Sequence, residues 1–416
     1  MDYVLELNDS DLSLHSGETL AYHAPGVALV RENEILFGDP ALRLSRAHPR
    51  QINQHYLARM NADPLPYPVS NAANHADLVY LHLKQLQDLM RRDPGDLVLA
   101  VPAILSADQL GVLLGITQEC GMAVSGFVDS AVAAASVSEL PASVCHLDAH
   151  LHRTCLTLLD VGADVVRTGA DEVADCGVAN LLEGWVNVIA DRFVRDTRFD
   201  PLHAAETEQQ LYNQVYDWAM GQSSSDSEIG IEIGYRDQVR RVEVSRSLLE
   251  EKARQRFAHL SERLPEDVHL ALSARTARLP GLTAYLGAQG WEYSVLDGSA
   301  LAAGCSANDS SIRAEDGRLR LVSRLPLRHG RGPQSIVAPG PDESGRPTHV
   351  LCDAWAVPIG ADDLPLQLKE SEAGVYLDAD ETVRLNGEAI TTSRRLRAGD
   401  ELTAGGKSYL LIRVVG

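Results

Sequence analysis

The chain has 416 residues, with 37 Lys or Arg against 58 Asp or Glu and a net charge of −21. Its composition, 45% hydrophobic and 23% charged, excludes a disordered chain. At roughly 150 residues per domain the length calls for two or three domains. The acidic balance repels phosphate backbones and argues against a general nucleic-acid binder. No apolar run reaches the roughly 20 residues of a membrane helix. The opening MDYVLELNDSDLS lacks the basic-then-apolar order of a secretory signal. Six cysteines (Cys120, Cys145, Cys155, Cys176, Cys305, Cys352) are scattered without a CxxC pair. They are expected to be reduced thiols in the cytoplasm.

In chain order, residues 1–305 alternate strand-like and helix-like segments, which reads as α/β. LVLAVPA (97–103) is a β-rich run. Ser106 and Gln109 then form a capping-box pattern, Leu110, Leu113, Leu114 and Thr117 follow at helical spacing, and Gly121 is a stop. DSAVAAASV (129–137) predicts a small-residue helix. VCHLD (144–148) and TCLTLLDV (154–161) predict two strands joined by a tight turn, with Cys145 and Cys155 flanking it. After Gly177 the stripe Leu182, Trp185, Ile189 and Phe193 predicts a longer helix. Ile229, Ile231, Ile233 and Tyr235, a turn at Arg236–Asp237, and Val242 and Val244 predict a hairpin. Leu249, Ala253, Phe257, Leu260 and Leu264 mark another helix. A strand near 268–272, a helix near 280–288, a strand at 291–296 and the helix SALAAGCSA complete this part.

Composition changes after Cys305. Residues 326–347 hold nine Gly or Pro, which cannot sustain a helix or a central strand. Residues 306–347 therefore read as a linker. Six arginines between Arg313 and Arg331 make it locally basic, either a solvated segment offsetting the acidic body or a docking site for an acidic partner. Residues 348–416 read as short strands with Asn386-Gly387 and Gly405-Gly406 as turn dipeptides, a small all-β domain.

Three stretches within residues 1–305 lie in an order that resembles the actin and DnaK-type chaperone ATPase superfamily. They are APGVALVRENEILFGDPAL (24–42), VLAVPAILSADQLGVLLGITQECGMAVSGFVDSAVAAA (98–135), and ALSARTARLPGL (271–282) followed by DGSALAAG (297–304). The resemblance covers about three quarters of the chain. It implies two lobes, 1–140 and 141–305, around a deep cleft holding ATP and Mg²⁺. In that family two hairpins press backbone N–H groups against the phosphates, which glycine permits by having no Cβ. Carboxylates at the hairpin bases hold the waters around Mg²⁺.

The residues of this chain depart from that pattern. The first hairpin is LELNDSD (5–11): Glu6 takes the acidic position, but Asn8, Asp9 and Ser10 replace the glycine and hydroxyl positions. The second is HLDAHLHRT (146–154): Asp148 keeps the carboxylate, while His150, Leu151 and His152 replace the glycines. Asp129 precedes the Ala-rich helix where the family has Glu. The glycine pair of the adenosine side falls at Ala274-Arg275, and YNQVYDWA (212–219) has no basic purine clamp. Each lost amide contact to an anion removes about 1.5–3 kcal/mol. Several exceed the roughly 8 kcal/mol of micromolar binding. The expectation is a pseudo-ATPase with no cofactor, acting as a bacterial-type, cytoplasmic protein-interaction scaffold for an unidentified protein partner. The alternative is a divergent ATPase in which Glu6, Asp129 and Asp148 organise Mg²⁺ and water, with Asp129 and Asp148 catalytic.

His146, Asp148, His150 and His152 stand at spacing two and would share one face of a continuous strand, the basis for a third reading as a metal-binding sensor. A turn at 149–153 scatters them, and residues four apart on a strand are ~13 Å apart, too far for one ion with bonds of ~2 Å. No metal site is expected. The C-terminal stretches AVPIGADD (356–363), GVYLDADETVRLNGEAI (374–390), LRAGDELTAGG (396–406) and SYLLIRVV (408–415) resemble a forkhead-associated module. Such modules bind phosphothreonine through an Arg and a Ser on loops. Here the Gly-Arg reads Gly360-Ala361 and the Ser-Arg-x-His loop is absent, with Lys369, Ser371 and Glu372 nearby, so a packing or partner-docking role is expected.

Overall fold

The structure is a computed structural model. It describes residues 3–17, 19–90, 95–221, 227–314 and 319–328, and, beyond these, 347 and the strand segments between 349 and 412. The chain divides into two compact units, Met1–Ser335 and Ile336–Gly416. Among the described residues no helix is long and apolar enough to cross a membrane.

The first unit is α/β, built on two six-stranded mixed sheets. In the first, Tyr3–Glu6, Leu12–Ser16 and Thr19–Ala24 form an antiparallel meander; Leu97–Val101 and Val124–Asp129 then add in parallel beside Tyr3–Glu6. In the second, Ser143–Ala149, Arg153–Val161 and Asp164–Ala174 form the meander, and His269–Leu272 and Tyr293–Val295 add in parallel beside Ser143–Ala149. Five strands of each sheet thus share one topology, a duplication that no sequence repeat announces; the sixth strands sit at opposite edges. A short helix follows the last parallel strand of each: Ser130–Ala135 in one half, Ala300–Ala307 in the other. Between the sheets lies an apolar layer that includes Val4, Val98, Ala131–Ala135, Val144, Leu296 and Cys305.

Local chemistry explains most boundaries. Ser106 accepts from the Gln109 amide and the Gln109 side chain reaches back, so the capping box opens Ala107–Glu119 as expected. Gly121 stops the chain at φ +74°. The helix Val178–Thr197 buries Leu182, Trp185, Ile189 and Phe193. The hairpin Glu228–Tyr235/Gln238–Ser245 turns at Arg236 and Asp237, both left-handed, and buries its isoleucines. Its outer strand is not left bare. Gln210 exchanges two hydrogen bonds with the Gly234 backbone (3.0 and 3.1 Å), and Gln214 does the same at Glu232 (2.7 and 3.1 Å). Two glutamines one helical turn apart imitate a neighbouring strand.

Two expectations are corrected. Residues 306–347 are not a linker throughout. Asp309–Ile312 is helical, Leu321–Val322 joins the first sheet, and Arg324–Pro326 joins the second; Leu325 is fully buried, so burial outweighs the Gly/Pro trend that follows it. Residues 329–346 lie outside the described residues. Cys145 and Cys155 are not neighbours across the turn: Cys155 pairs with Asp148 and Cys145 with Leu158, which puts them on opposite faces of the sheet. Five cysteines, including both of these, are buried free thiols. The helix His75–Met90 and the strand Asp164–Ala174 were not marked by the sequence pattern.

The second unit contains only antiparallel strands among its described residues. Six form one sheet and three, Leu368–Ser371, Gly374–Leu377 and Arg394–Leu396, form another. Val350, Val375, Leu377, Val383, Leu396, Leu402 and Leu411 make its core. Gly360, Ala361, Glu372 and the two turn dipeptides lie outside the described residues.

Candidate functional site

The two meanders turn toward each other. Their turns, Leu7–Asp11 and His150–His152, meet and are joined by side chains. Asn8 Nδ2 donates to Asp148 Oδ2 (2.9 Å) and to the Ala149 carbonyl (3.1 Å). The Ser10 hydroxyl donates to the same carbonyl (2.8 Å). Asp9 Oδ1 accepts from the Leu151 amide (2.8 Å) and from His150 Nδ1 (3.1 Å). Asn8, Asp9, His150 and Leu151 are all buried. The sequence pattern placed Asp9 against an incoming anion; instead it is matched to an amide and an imidazole of the other half. Those two partners hold its carboxyl below the usual range although burial acts to raise it.

Most backbone donors of the two turns are already engaged, the Leu7 amide by the Ala100 carbonyl (2.9 Å). The Ser10 amide goes to Asn8 Oδ1 (2.8 Å) and the Asp11 amide to the Asn8 carbonyl (3.2 Å). The Ala149 amide goes to Thr276 Oγ1 (2.7 Å), the His150 amide to the Arg153 carbonyl (2.8 Å), and the Leu151 amide to Asp9. A phosphate cradle needs such amides free and bare main chain around them. Most of these amides are taken, and the buried side chains of Asn8, Asp9, His150 and Leu151 occupy the space around them, so the residues present do not fit a polyphosphate. Glycine survives behind the second turn: a Cβ on Gly177 would stand 2.4 Å from the Arg153 nitrogen and the Leu151 oxygen. Close backbone approach is retained there to buttress the turn.

Beside the seam lies a cavity of about 350 Å³ whose lining includes Glu6, Ser13, His15, His146, Asp148, Ser273 and Arg275. Parity on the strands aims Glu6, His146 and Asp148 at it. Arg275, in the single turn Ala274–Ala277, reaches between the two carboxylates. Its Nη2 donates to Glu6 Oε1, its Nε stands 3.6 Å from Asp148 Oδ1, and its Nη1 donates to the Asp11 carbonyl (3.3 Å). Ser13 Oγ completes Glu6 (3.1 Å) and Ser273 Oγ completes Asp148 (2.6 Å). Burial alone would raise Asp148, but Arg275, His150, His146 and the Ser273 hydroxyl outweigh it and hold the carboxyl at about 2. Burial raises Glu6 despite Arg275, and the Asp148 charge adds to the rise. The two carboxylates share one guanidinium, which stands where a hydrated divalent ion would need to be.

Asp129 is not part of this group. It caps the helix Ser130–Ala135, accepting from the Ala131 and Val132 amides (3.0 and 3.2 Å), and pairs with Arg167 (2.8 Å). It does not line the cavity. Burial raises its carboxyl in spite of those partners. His146 faces the cavity, His150 the seam, and His152 packs on His55 with ring centroids 4.3 Å apart. Among the described residues no three His, Cys, Asp or Glu converge as a metal-binding group.

Sequence reasoning brought Glu6, Asn8, Asp9, Ser10, Asp148 and His150 to one place. It missed the role of Arg275, because Ala274-Arg275 was matched to a glycine pair and not to a charge. The available signal was the charge itself: an arginine just after the strand His269–Leu272, at the same end as two acidic strand ends.

A second set of bonds ties the halves at their outer ends. Arg43 forms a fork with Asp217 (2.7 and 3.1 Å), and Arg46 reaches Glu183 (2.6 Å) and Glu208 (3.4 Å). Gln209 Oε1 accepts from the Arg46 and Ala47 amides while its Nε2 donates to the Leu42 carbonyl (3.2 Å). Compared with known proteins, the chain matches no protein-family model and no curated protein sequence.

Proposed function

We propose that this chain is a degenerate relative of the actin and DnaK-type ATPases, two-lobed in its first unit, that works as a cytoplasmic protein-interaction scaffold and not as a nucleotide-driven machine. The single observation that carries the reading is the seam: Asn8, Asp9 and Ser10 bond directly to Asp148, Ala149 and Leu151, across the space a triphosphate would need. Arg275 between Glu6 and Asp148 supports it, since a fixed guanidinium removes the need for a metal. The outer ties from Arg43 and Arg46 oppose the hinge opening that an ATP cycle requires. In this reading the forkhead-like C-terminal unit, or the basic stretch before it, recruits the partner. Titration calorimetry tests it: Mg·ATP should show no binding tighter than about 100 µM, a free energy near −5.5 kcal/mol. Tighter binding rejects the proposal.

A second reading, a divergent ATPase, is favoured by Glu6 and Asp148 facing one cavity. It requires ATP turnover that falls sharply in Asp148→Asn. An unchanged rate, or no turnover in the parent protein, removes it.

A further inference from the structure

A second cavity, of about 600 Å³, shares no lining residue with the first. Its walls bring together Ser45, His55, His152, Asn180, Tyr212 and Arg256 from five separated parts of the chain. Two buried polar atoms in this wall have no hydrogen-bond partner: Ser45 Oγ and His152 Nε2. Ser45 is 5% exposed, so water does not readily satisfy it, and buried polar atoms in folded proteins are nearly always paired. Two orphans in one wall mark a place built for a group that accepts and donates hydrogen bonds.

The surrounding charge decides the sign of that group. Arg256 spends one N–H on the Asp175 carbonyl (3.0 Å) and has no carboxylate partner among the described residues. The acidic residues of the wall, Glu183 and Glu208, are both held by Arg46, which also lies over the Tyr212 ring at 4.4 Å. The 20-residue helix Val178–Thr197 begins at this wall with Ala179 and Asn180; its Val178 and Ala179 amides are taken by the His150 and Leu151 carbonyls, so it adds the field of its dipole and not those two donors. The His55 and His152 rings, tilted by 35° with centroids 4.3 Å apart, pack together in the same wall. The volume suits a small molecule.

We infer that this cavity binds a small organic oxyanion, a carboxylate or a phosphate monoester, held by Arg256, Ser45 Oγ and His152 Nε2 at the start of the helix. The inference does not rest on the state of the Glu6–Asp148 cavity. It is tested on the full chain by calorimetry and thermal shift with inorganic phosphate, with citrate, and with sodium chloride at matched ionic strength. Phosphate or citrate should bind saturably and raise the melting temperature, chloride should not, and the stronger of the two probes assigns the headgroup. Arg256→Gln should weaken that binding roughly tenfold, as loss of one charge-assisted contact does. Ser45→Ala, which removes a hydroxyl that has no partner in the fold, should weaken it without lowering the melting temperature of the ligand-free protein. If neither anion binds saturably, or if both variants bind like the parent protein, the inference is wrong.

Discussion

The two halves of the first unit meet in two chemically opposite ways. At the hairpin turns the contact is polar, with long-range hydrogen bonds from Asn8, Asp9 and Ser10 and an arginine shared by two carboxylates. Where the helix Ser130–Ala135 crosses Ala300–Ala307 the contact consists of missing side chains: a Cβ on Gly304 would lie 1.8 Å from the Ala133 carbonyl oxygen. The crossing tolerates no added atom, because both partners are main chain. The seam tolerates change in composition as long as every buried polar atom finds a partner. The crossing therefore selects its residues by size, and the seam selects its residues by hydrogen bonding.

That contrast is broken most directly at the crossing. Gly304→Val should destabilise by about 3 kcal/mol or more, the upper part of the range for overpacking, since the obstacle is backbone that cannot rotate away. Denaturant unfolding measures it, and a loss below about 1 kcal/mol would show that the helices slide apart easily. Next is Arg275→Met, which strands Glu6 and Asp148 without a counter-charge and should cost about 3 kcal/mol in metal-free buffer. Millimolar Mn²⁺ should restore part of this loss in the variant and add nothing to the parent protein; equal responses would mean that the guanidinium does not substitute for a cation. Asn8→Ala removes bonds to Asp148 and Ala149 and should cost about 2 kcal/mol, read from the same unfolding curves.

A further test separates the two contacts by pH. The Asp148 carboxyl sits at about 2 in the folded protein against roughly 3.9 unfolded. A depressed carboxyl contributes stability that is complete above about pH 4 and is lost as pH falls toward 2. Asp148→Asn should flatten this acid limb, whereas Gly304→Val should lower stability equally across it. At milder acidity the histidines whose titration burial lowers, among them His55, His146 and His82, contribute in the same direction; His82 is the most fully enclosed in contacts. It is buried, bonded to Tyr22 and Tyr56 and stacked on Phe37, and burial holds it at about 3. Its contribution is complete above about pH 6.5 and declines below that, so melting temperature should fall between pH 6.5 and 4 even in Asp148→Asn.

Much of the fold was legible in the sequence because it is local. The capping box at Ser106 and Gln109, the stripe of Leu182, Trp185, Ile189 and Phe193, and the alternating Ile229, Ile231 and Ile233 each carry their period or cap within a few residues. The acidic strand ends at Glu6 and Asp148 and the absence of glycine from both turns were equally plain. Asp129 stands at the head of the Ala-rich helix as the sequence implied, but a helix cap and a cleft carboxylate look alike in sequence, and its pairing with Arg167 away from the cavity was not legible there. The strands Leu321–Val322 and Arg324–Pro326 were hidden by the Gly/Pro-rich run that follows them.

The sequence by itself determined those helices and strands that carry a local period or cap, and that both turns lack glycine, since periodicity, caps and residue size act over short range. The tertiary structure decided everything that depends on residues more than a hundred positions apart. It set Arg275 between Glu6 and Asp148, Asp9 on the Leu151 amide, Gly304 against Ala133, and Ser45 and His152 in one wall. The physical reason is that pairing free energy depends on distance and burial, and neither is encoded in spacing along the chain.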